Sequence, residues 1–245
     1  MRKLTYLFAA VLIISVLGAC KKDPVTVPVK FTSTDYQTLG SYDTSGKPSH
    51  LETPDVVSSN MRAFISSMLP PGQDLRKTHP ELLTTKAIAD ITITEPSDIY
   101  ITFVSHGASY PNAFAFYTYP TNAPPASAKD IKTITYVFPN VGAGTTLKAG
   151  DKAKLGRFEV GTSIGFVLMQ GAWNKETKTL DNNAVHFCSN DVLNPEVDPN
   201  LKKHAVLINY PQENKVLIGF EDMDRTDGSC DHDFNDVVTY ATITH

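Results

Sequence analysis

Apolar and polar residues alternate along most of the chain after residue 87, and this period of two is typical of β-strands. The alternating segments are rich in β-branched and aromatic residues and are bounded by Pro, Gly, Asn or Asp. No helical pattern separates them, so residues 87–245 predict an all-β fold, a jelly-roll-like β-sandwich. The predicted strands are 91–94, 99–104, 113–119, 133–138, 163–169, 205–210, 216–220 and 237–244.

Helical spacing occurs once, within a lead-in segment of residues 51–86. Thr53 and Pro54 predict the start of the helix, because a hydroxyl group can cap the first turn and proline is tolerated within it. Pro70-Pro71-Gly72 ends the pattern. We expect one short N-terminal amphipathic helix whose apolar face packs against the sandwich. That face consists of Val57, Met61, Phe64, Ile65 and Met68.

The first twenty residues predict export and lipidation. Arg2 and Lys3 precede an apolar run, which is the pattern of a secretory signal peptide over residues 1–19. The run ends in Leu17-Gly18-Ala19-Cys20, which is similar to the lipobox of bacterial lipoproteins, whose cysteine receives the lipid. A membrane-spanning helix is the alternative, but the run is too short for one and charged residues follow at once. Cys20 is therefore the predicted lipidation site.

A lipid on Cys20 implies that the membrane is a partner. Lys21 stands where an aspartate would favour retention in the inner membrane, so we expect the outer membrane or the cell surface, with the domain facing either side. Residues 20–50 lack periodicity and are rich in Pro, Ser, Thr and Gly, which predicts a flexible tether between the lipid and the domain.

The charge of the chain argues against one class of partner. The sequence carries 26 acidic and 22 basic side chains, and cleavage of the signal peptide would remove two of the basic ones, Arg2 and Lys3. Nucleic-acid binding relies on basic patches, so we do not expect a nucleic-acid partner.

The highest density of charge lies between the last two predicted strands. Seven carboxylates fall within residues 221–236, where Arg225 is the one Lys or Arg residue. Like charges so close together repel strongly, and Ca²⁺ would hold them because it prefers oxygen ligands. A solvated acidic turn is the alternative. The seven are Glu221, Asp222, Asp224, Asp227, Asp231, Asp233 and Asp236.

Within this loop the candidate ligands alternate. In an extended segment Asp231, Asp233 and Asn235 would project to one side, and Phe234 would anchor the loop in the core. Asp222 and Asp224 repeat the alternation upstream. An EF-hand does not fit, because its required Gly and Glu are absent and no helices flank the loop.

Two cysteines remain if Cys20 is lipidated. An oxidising envelope compartment favours a disulfide between Cys188 and Cys230, and two free buried thiols are the alternative.

Several segments, in order over roughly residues 75–244, resemble bacterial surface proteins that carry the domain of unknown function 4114, including LruC-like lipoproteins. The most specific part is Gly219-Phe220-Glu221-Asp222 followed by residues 231–236. The resemblance implies a β-sandwich at the cell envelope, no established enzymatic activity and a calcium loop. By position it assigns ligands to Asp222, Asp231, Asp233, Asn235 and Asp236.

Four residues of the resemblance have no assigned role or depart from the family pattern. Asn194 and His204 match recurring positions without a known role, His106 stands where relatives often have an acid, and Cys230 stands where they usually have glycine.

Enzyme motifs are not evident. Gly-x-Ser-x-Gly and a phosphate-binding loop are absent, and the histidines do not have the spacing of zinc ligands. We therefore predict a non-enzymatic, calcium-binding structural or adhesive module of the envelope, whose ligand would be a surface glycan or a protein. The alternative is a calcium-dependent carbohydrate-binding protein, and a glycoside hydrolase is less favoured because nothing pairs two carboxylates. The candidate sugar-binding aromatics are Tyr110, Tyr117, Tyr119 and Trp173.

Overall fold

The computed structural model describes residues 27–84 and 89–245, and this part of the chain is mostly β-structure. Its α-helices are α1 (Ser59–Met68) and α2 (Leu75–Thr78). Its strands are β1 (Asp35–Thr38), β2 (Ile91–Thr92), β3 (Ser97–His106), β4 (Ala113–Pro120), β5 (Thr133–Phe138), β6 (Lys152–Phe158), β7 (Thr162–Gln170), β8 (Trp173–Asn174), β9 (Thr179–Leu180), β10 (Val185–Cys188), β11 (Ala205–Tyr210), β12 (Lys215–Phe220) and β13 (Val237–Thr244).

Two sheets form the sandwich. The first sheet has the order β1-β5-β4-β7-β10, with β2 also paired to β7, and the second sheet has the order β11-β12-β13-β3-β6. Strands β8 and β9 form a separate two-stranded ribbon. The predicted all-β sandwich is confirmed, because apolar side chains of both sheets, such as Phe114, Phe166 and Ile218, share one buried core.

Both sheets are also covered on their outer faces. In β4, Phe114 and Phe116 enter the core between the sheets, while Ala115 and Tyr117 belong to a second cluster on the other side of the strand. This division follows from the period of two along a strand. The apolar face of α1 covers the second sheet through a third cluster that includes Met61, as the sequence predicted.

The predicted tether is wrong for the residues that the structure describes. Phe31 is buried in the cluster outside the first sheet, and β1 pairs in parallel with β5. A parallel pair between segments almost a hundred residues apart is a non-local contact. The four residues of β1 have weak periodicity, so their sequence does not predict this pairing. The sandwich therefore begins well before residue 87.

The start of α1 also differs from the prediction. Ser58, not Thr53, is the N-cap, and its Oγ accepts a hydrogen bond from the backbone N–H of Met61 at 3.0 Å. The backbone N–H of Asp55 instead donates to the carbonyl of Gly150 at 2.8 Å. Gly150 has φ +101°, and a Cβ there would lie 2.3 Å from the Asp55 carbonyl oxygen, so this contact requires glycine.

Strands β6 and β10 are missing from the prediction. Charged residues occupy every other position at the start of β6, and Gly156, with φ +146°, lies where the register with β3 shifts. Such a bulge interrupts the alternation that identifies a strand. β10 is only four residues long and contains His186.

Within the described residues, no helix combines the length and the apolar character that a membrane crossing requires. The predicted signal peptide and Cys20 lie outside the described residues.

Candidate metal centre

The register of two strands brings the ends of the acidic loop together. β12 and β13 are antiparallel neighbours, with Phe220 opposite Val237. Glu221 follows the first strand and Asp236 precedes the second, so the two residues meet at one end of the second sheet. The backbone N–H of Asp222 donates to Asp236 Oδ2 at 2.9 Å, which fixes this meeting point.

Five carboxylates converge there as two triads that share Glu221. One oxygen from each of Glu221, Asp231 and Asp233 lies within 4.8 Å of the others, and the same holds for Glu221, Asp222 and Asp236. Two oxygens that bind the same Ca²⁺ at roughly 2.4 Å can be no farther apart than about this distance. Each triad is therefore compact enough to share one ion.

Glu221 is the most deeply buried member of the set, with 1% of its surface exposed. Its Oε2 is buried and has no hydrogen-bond partner among the described residues. A buried carboxylate oxygen is normally satisfied, because leaving it without a partner is costly. A cation between the triads would satisfy it.

The electrostatics of the carboxylate cluster by itself are unfavourable. Burial first, and then the charge of Asp236, raise the pKa values of Glu221 and Asp222 well above the ordinary range for a carboxyl group. Burial and the neighbouring Asp233 also raise the pKa of Asp231. All three shifts have the same physical meaning: the charged forms lack a compensating positive charge.

The backbone of the ligand segment is not the predicted extended strand. His232 and Phe234 have left-handed conformations, with φ of +60° and +58°. The side chain of Asp233 accepts a hydrogen bond from the Asn235 backbone N–H at 3.0 Å, which closes a local turn. Phe234 is nevertheless fully buried beneath α1, as the sequence predicted, so it anchors the loop.

Two predicted ligands stand apart from the triads. Asp224 lies outside both triads, and its Oδ1 accepts hydrogen bonds from the backbone N–H and the hydroxyl of Thr226. Asn235 contacts the site indirectly, because its Nδ2 donates to Asp233 Oδ2 at 2.5 Å. Its Oδ1 is the oxygen that it would offer to a cation.

The first sheet reaches into the site through two amides that the sequence did not single out. Asn112, which precedes β4 and is fully buried, donates through Nδ2 to Asp222 Oδ2 at 2.6 Å. Gln170, at the end of β7, donates through Nε2 to the backbone carbonyl of Asp222 at 2.7 Å. Isolated amides carry no sequence signal, so only the fold could identify them.

The lead-in segment and β3 also hold the loop. The backbone N–H of Gly72 donates to Asp233 Oδ2 at 2.6 Å. Gly107, just after His106 at the exposed end of β3, donates to the carbonyl of Asp236 at 3.0 Å. A Cβ on Gly107 would lie 2.8 Å from Asn235 Oδ1, so this approach favours glycine.

The predicted disulfide is wrong: Cys188 and Cys230 are both free and buried. Cys188 ends β10 and packs outside the first sheet beside Val167 and Leu193. Cys230 lies in the acidic loop at the end of the second sheet, where its Sγ is 3.3 Å from His232 Nδ1. The two thiols therefore belong to different sheets of the sandwich.

Asn194 and His204 have structural contacts. Asn194 accepts through Oδ1 from the backbone N–H of Cys188 and donates through Nδ2 to the carbonyls of Cys188 and Lys202. His204 lies 2.6 Å from Glu196 Oε1 through its Nε2, and its Nδ1 donates to the carbonyl of Glu221 at 3.1 Å. Both residues hold loops against strands, and His204 positions the backbone of Glu221.

Most of the candidate sugar-binding aromatics are not surface platforms. Trp173 and Tyr117 are buried, with 2% and 1% of their surfaces exposed. Tyr119 is half-buried and donates its hydroxyl to Asp90 at 2.6 Å. Tyr110 is the exposed one of the four.

A family model described as a domain of unknown function, DUF4114, matches residues 158–244. The match runs from the last residue of β6 to the last residue of β13 and contains all five carboxylates of the two triads. The matched range is shorter than roughly residues 75–244, the range over which the sequence resembles this family. No curated protein and no solved structure matches the chain. Over residues 158–244 the chain is thus similar to proteins that carry the domain of unknown function 4114.

Proposed function

We propose that the loop of residues 221–236 binds Ca²⁺ and that the protein is a non-enzymatic, lipid-anchored structural or adhesive module of the outer membrane or cell surface. The observation that carries the calcium proposal is Glu221, which belongs to both carboxylate triads and keeps a buried oxygen without a partner among the described residues. The proposed ligands are Glu221, Asp222, Asp231, Asp233 and Asp236, with Asn235 as a further candidate.

The donor atoms favour calcium over other metals. Both triads offer only carboxylate oxygens, which suit a hard cation, whereas zinc prefers nitrogen and sulfur ligands. Mg²⁺ requires a tighter octahedral arrangement and keeps several waters. Carboxylates from one irregular loop adapt more easily to the looser coordination of Ca²⁺.

The position of the loop supports a structural role for the ion. Asp222 is tied to the first sheet through Asn112, and Asp233 is tied to the lead-in segment through Gly72. Cations bound in the two triads, which share Glu221, would connect the two sheets and the helical cover. Calcium would then stabilise the whole sandwich and not only the loop.

Calcium should raise the melting temperature of the protein, and Mg²⁺ should raise it less. A ligand that binds only the folded state adds about 2.7 kcal/mol to the free energy of unfolding at about 100 times its Kd. Differential scanning calorimetry in EDTA, in millimolar Mg²⁺ and in millimolar Ca²⁺ measures the effect. Equal melting temperatures under the three conditions would contradict the proposal.

The Glu221→Gln substitution tests the shared ligand within the same experiment. In EDTA at neutral pH we expect the variant to be more stable than the wild type, on the order of 1 kcal/mol, because burial of Glu221 without a metal requires costly proton uptake and the neutral amide does not. In millimolar Ca²⁺ the variant should show only a small part of the calcium-dependent increase in stability that the wild type shows. A variant that kept the whole increase would place the site elsewhere.

Asp227→Asn is the matched control for Glu221→Gln. It removes one negative charge from the same loop, but Asp227 is exposed, lies outside both triads and accepts hydrogen bonds from Ser229. We expect its calcium-dependent increase to equal that of the wild type.

A further inference from the structure

A cavity of about 500 Å³ lies beside the acidic loop. Arg225, Thr226 and His232 of the loop form one wall, and Val197, Leu201 and Arg76 are among the residues that complete it. This volume falls within the range of small-molecule binding pockets, roughly 300–1,000 Å³. The cavity is separate from the two carboxylate triads, so the proposed calcium site does not account for it.

Arg225 in the cavity wall is 2% exposed and incompletely paired. Its guanidinium donates to His232 Nδ1 at 3.2 Å and to the carbonyls of Lys203 and Asn200 at 2.8 and 3.4 Å. Its Nη2 is buried and has no hydrogen-bond partner within residues 27–84 and 89–245. No carboxylate among those residues forms an ion pair with it.

A buried arginine whose acceptors are all neutral is unusual. Buried charges are normally paired, because transfer of an ion out of water is expensive unless an opposite charge compensates it. The planar guanidinium matches a carboxylate or a phosphate in geometry. An anion in the cavity would complete both the charge and the hydrogen bonding of Arg225.

The remaining lining decides which kind of anion fits. Arg76 is already paired with Asp74 at 2.9 Å, so Arg225 is the arginine of the lining that has no ion-pair partner among the described residues. Asp198 and Asp227 also line the cavity and would repel a phosphate dianion more than a monoanion. Most lining residues are polar or charged, but about half of the lining surface is apolar, which suits a molecule that combines hydroxyl groups with a carbon skeleton.

We propose that this cavity binds a sugar acid, a polyhydroxylated ring with a single carboxylate, and that Arg225 receives the carboxylate. The hydroxyl groups of the sugar would pair with the polar rim, and Val197 and Leu201 would contact its carbon skeleton. This inference goes beyond the calcium proposal, because none of its contacts passes through the cation.

The test compares methyl glucuronide with methyl glucoside, which differ in the carboxylate. Titration of the isotopically labelled protein, followed by two-dimensional NMR in millimolar calcium, gives both affinities. We expect the glucuronide to bind at least about tenfold more tightly than the glucoside, because one charge-assisted hydrogen bond contributes enough free energy for that ratio. Signals from the cavity wall should shift. No binding of the glucuronide, or equal affinity for the two sugars, would overturn the proposal.

Two variants locate the site. Val197→Trp should block the cavity and abolish glucuronide binding, and Val197 is 64% exposed, so the fold should tolerate the change. Val160→Trp is its matched control, since Val160 is 60% exposed and is not part of the cavity wall. Arg225→Gln should reduce the glucuronide affinity to that of the glucoside, with the same spectra reporting whether the variant is folded. Unchanged binding in Val197→Trp would contradict the proposal, whatever the behaviour of Arg225→Gln.

Failure of this proposal can be distinguished from failure of the calcium proposal. The calcium proposal fails if the melting temperature does not respond to Ca²⁺, and the cavity proposal fails if the glucuronide produces no selective shift. The result of one measurement does not determine the result of the other.

Discussion

At the scale of single residues, buried polar side chains perform two tasks in this protein. Asn112, Asn194 and His204 are fully hydrogen-bonded and hold loops against strands. Glu221 and Arg225 each keep one buried polar atom without a partner among the described residues, and each borders a place that a ligand can fill. Because buried polar atoms are satisfied as a rule, these two residues support the two proposed ligand sites.

His186 shows how a buried, satisfied side chain creates a dependence of stability on pH. Its Nδ1 donates to the Ala184 carbonyl at 2.8 Å, and its Nε2 accepts from the Tyr36 hydroxyl at 2.8 Å. Its ring stacks on Phe31 with centroids 4.3 Å apart. These contacts suit the neutral imidazole, and burial lowers the pKa of His186 to about 4.

The consequence is a loss of stability in mild acid. An unfolded histidine has a pKa of about 6.5, so the unfolded chain takes up the proton first as the pH falls. The contribution of His186 is present above about pH 6.5 and is lost as the pH falls towards 4. Between pH 7.5 and pH 5 we expect a loss of about 2 kcal/mol that His186→Gln does not show.

Urea unfolding at a series of pH values measures this difference. His106→Gln is the control, because it makes the same exchange at an exposed histidine. Parallel curves for the wild type and His186→Gln would show that His186 is not the group responsible.

At the scale of elements, long-range pairing decides where each element begins. The apolar spacing of α1 is visible in the sequence, but the cap in the structure is Ser58 and not the predicted Thr53. The choice depends on the backbone of Asp55, which pairs with Gly150 and so cannot continue into a helix. Ser58 also donates its hydroxyl to Glu213, which ties the helix start to the turn before β12.

A pair of cap variants tests this assignment. Ser58→Ala should lower the free energy of unfolding by about 1 kcal/mol, the usual cost of a lost N-cap. Thr53→Ala should change it by less than about 0.5 kcal/mol, because Thr53 is exposed and does not cap the helix. Urea midpoints with unchanged slopes provide both values, and the reverse order would restore Thr53 as the cap.

At the scale of the whole molecule, the sandwich is closed on both outer faces, by the N-terminal segment on one side and by α1 on the other. Phe31 is already part of a buried cluster, so the folded region starts soon after Cys20. A lipid on Cys20 would therefore hold the domain close to the membrane surface and leave a shorter spacer than the predicted tether.

Lipid anchoring through Cys20 is the prediction that belongs to this scale. Cys20→Ser should move the protein from the membrane pellet to the soluble fraction, or leave an unprocessed precursor, because a diacylated cysteine is a stable anchor. Cys188→Ser is the control and should remain in the pellet. A processed Cys20→Ser protein that still pellets after a salt wash would show that another feature anchors it.

The sequence by itself determined the class of fold and located the acidic loop that forms the candidate site. Alternation located β5, β11 and β13 with the bounds that the structure shows, because the period of two is a local property of each segment. The density of carboxylates between β12 and β13, and the burial of Phe234, were also local signals.

The tertiary structure alone decided which residues meet. Glu221 became the shared carboxylate because the register of β12 and β13 sets it beside Asp236, and Asn112 joined it from the opposite sheet. The same long-range pairing folded β1 onto β5 and kept Cys188 apart from Cys230. These contacts join residues far apart in the chain. They form only when particular strands pair, and the pairing of strands cannot be deduced from any short stretch of sequence.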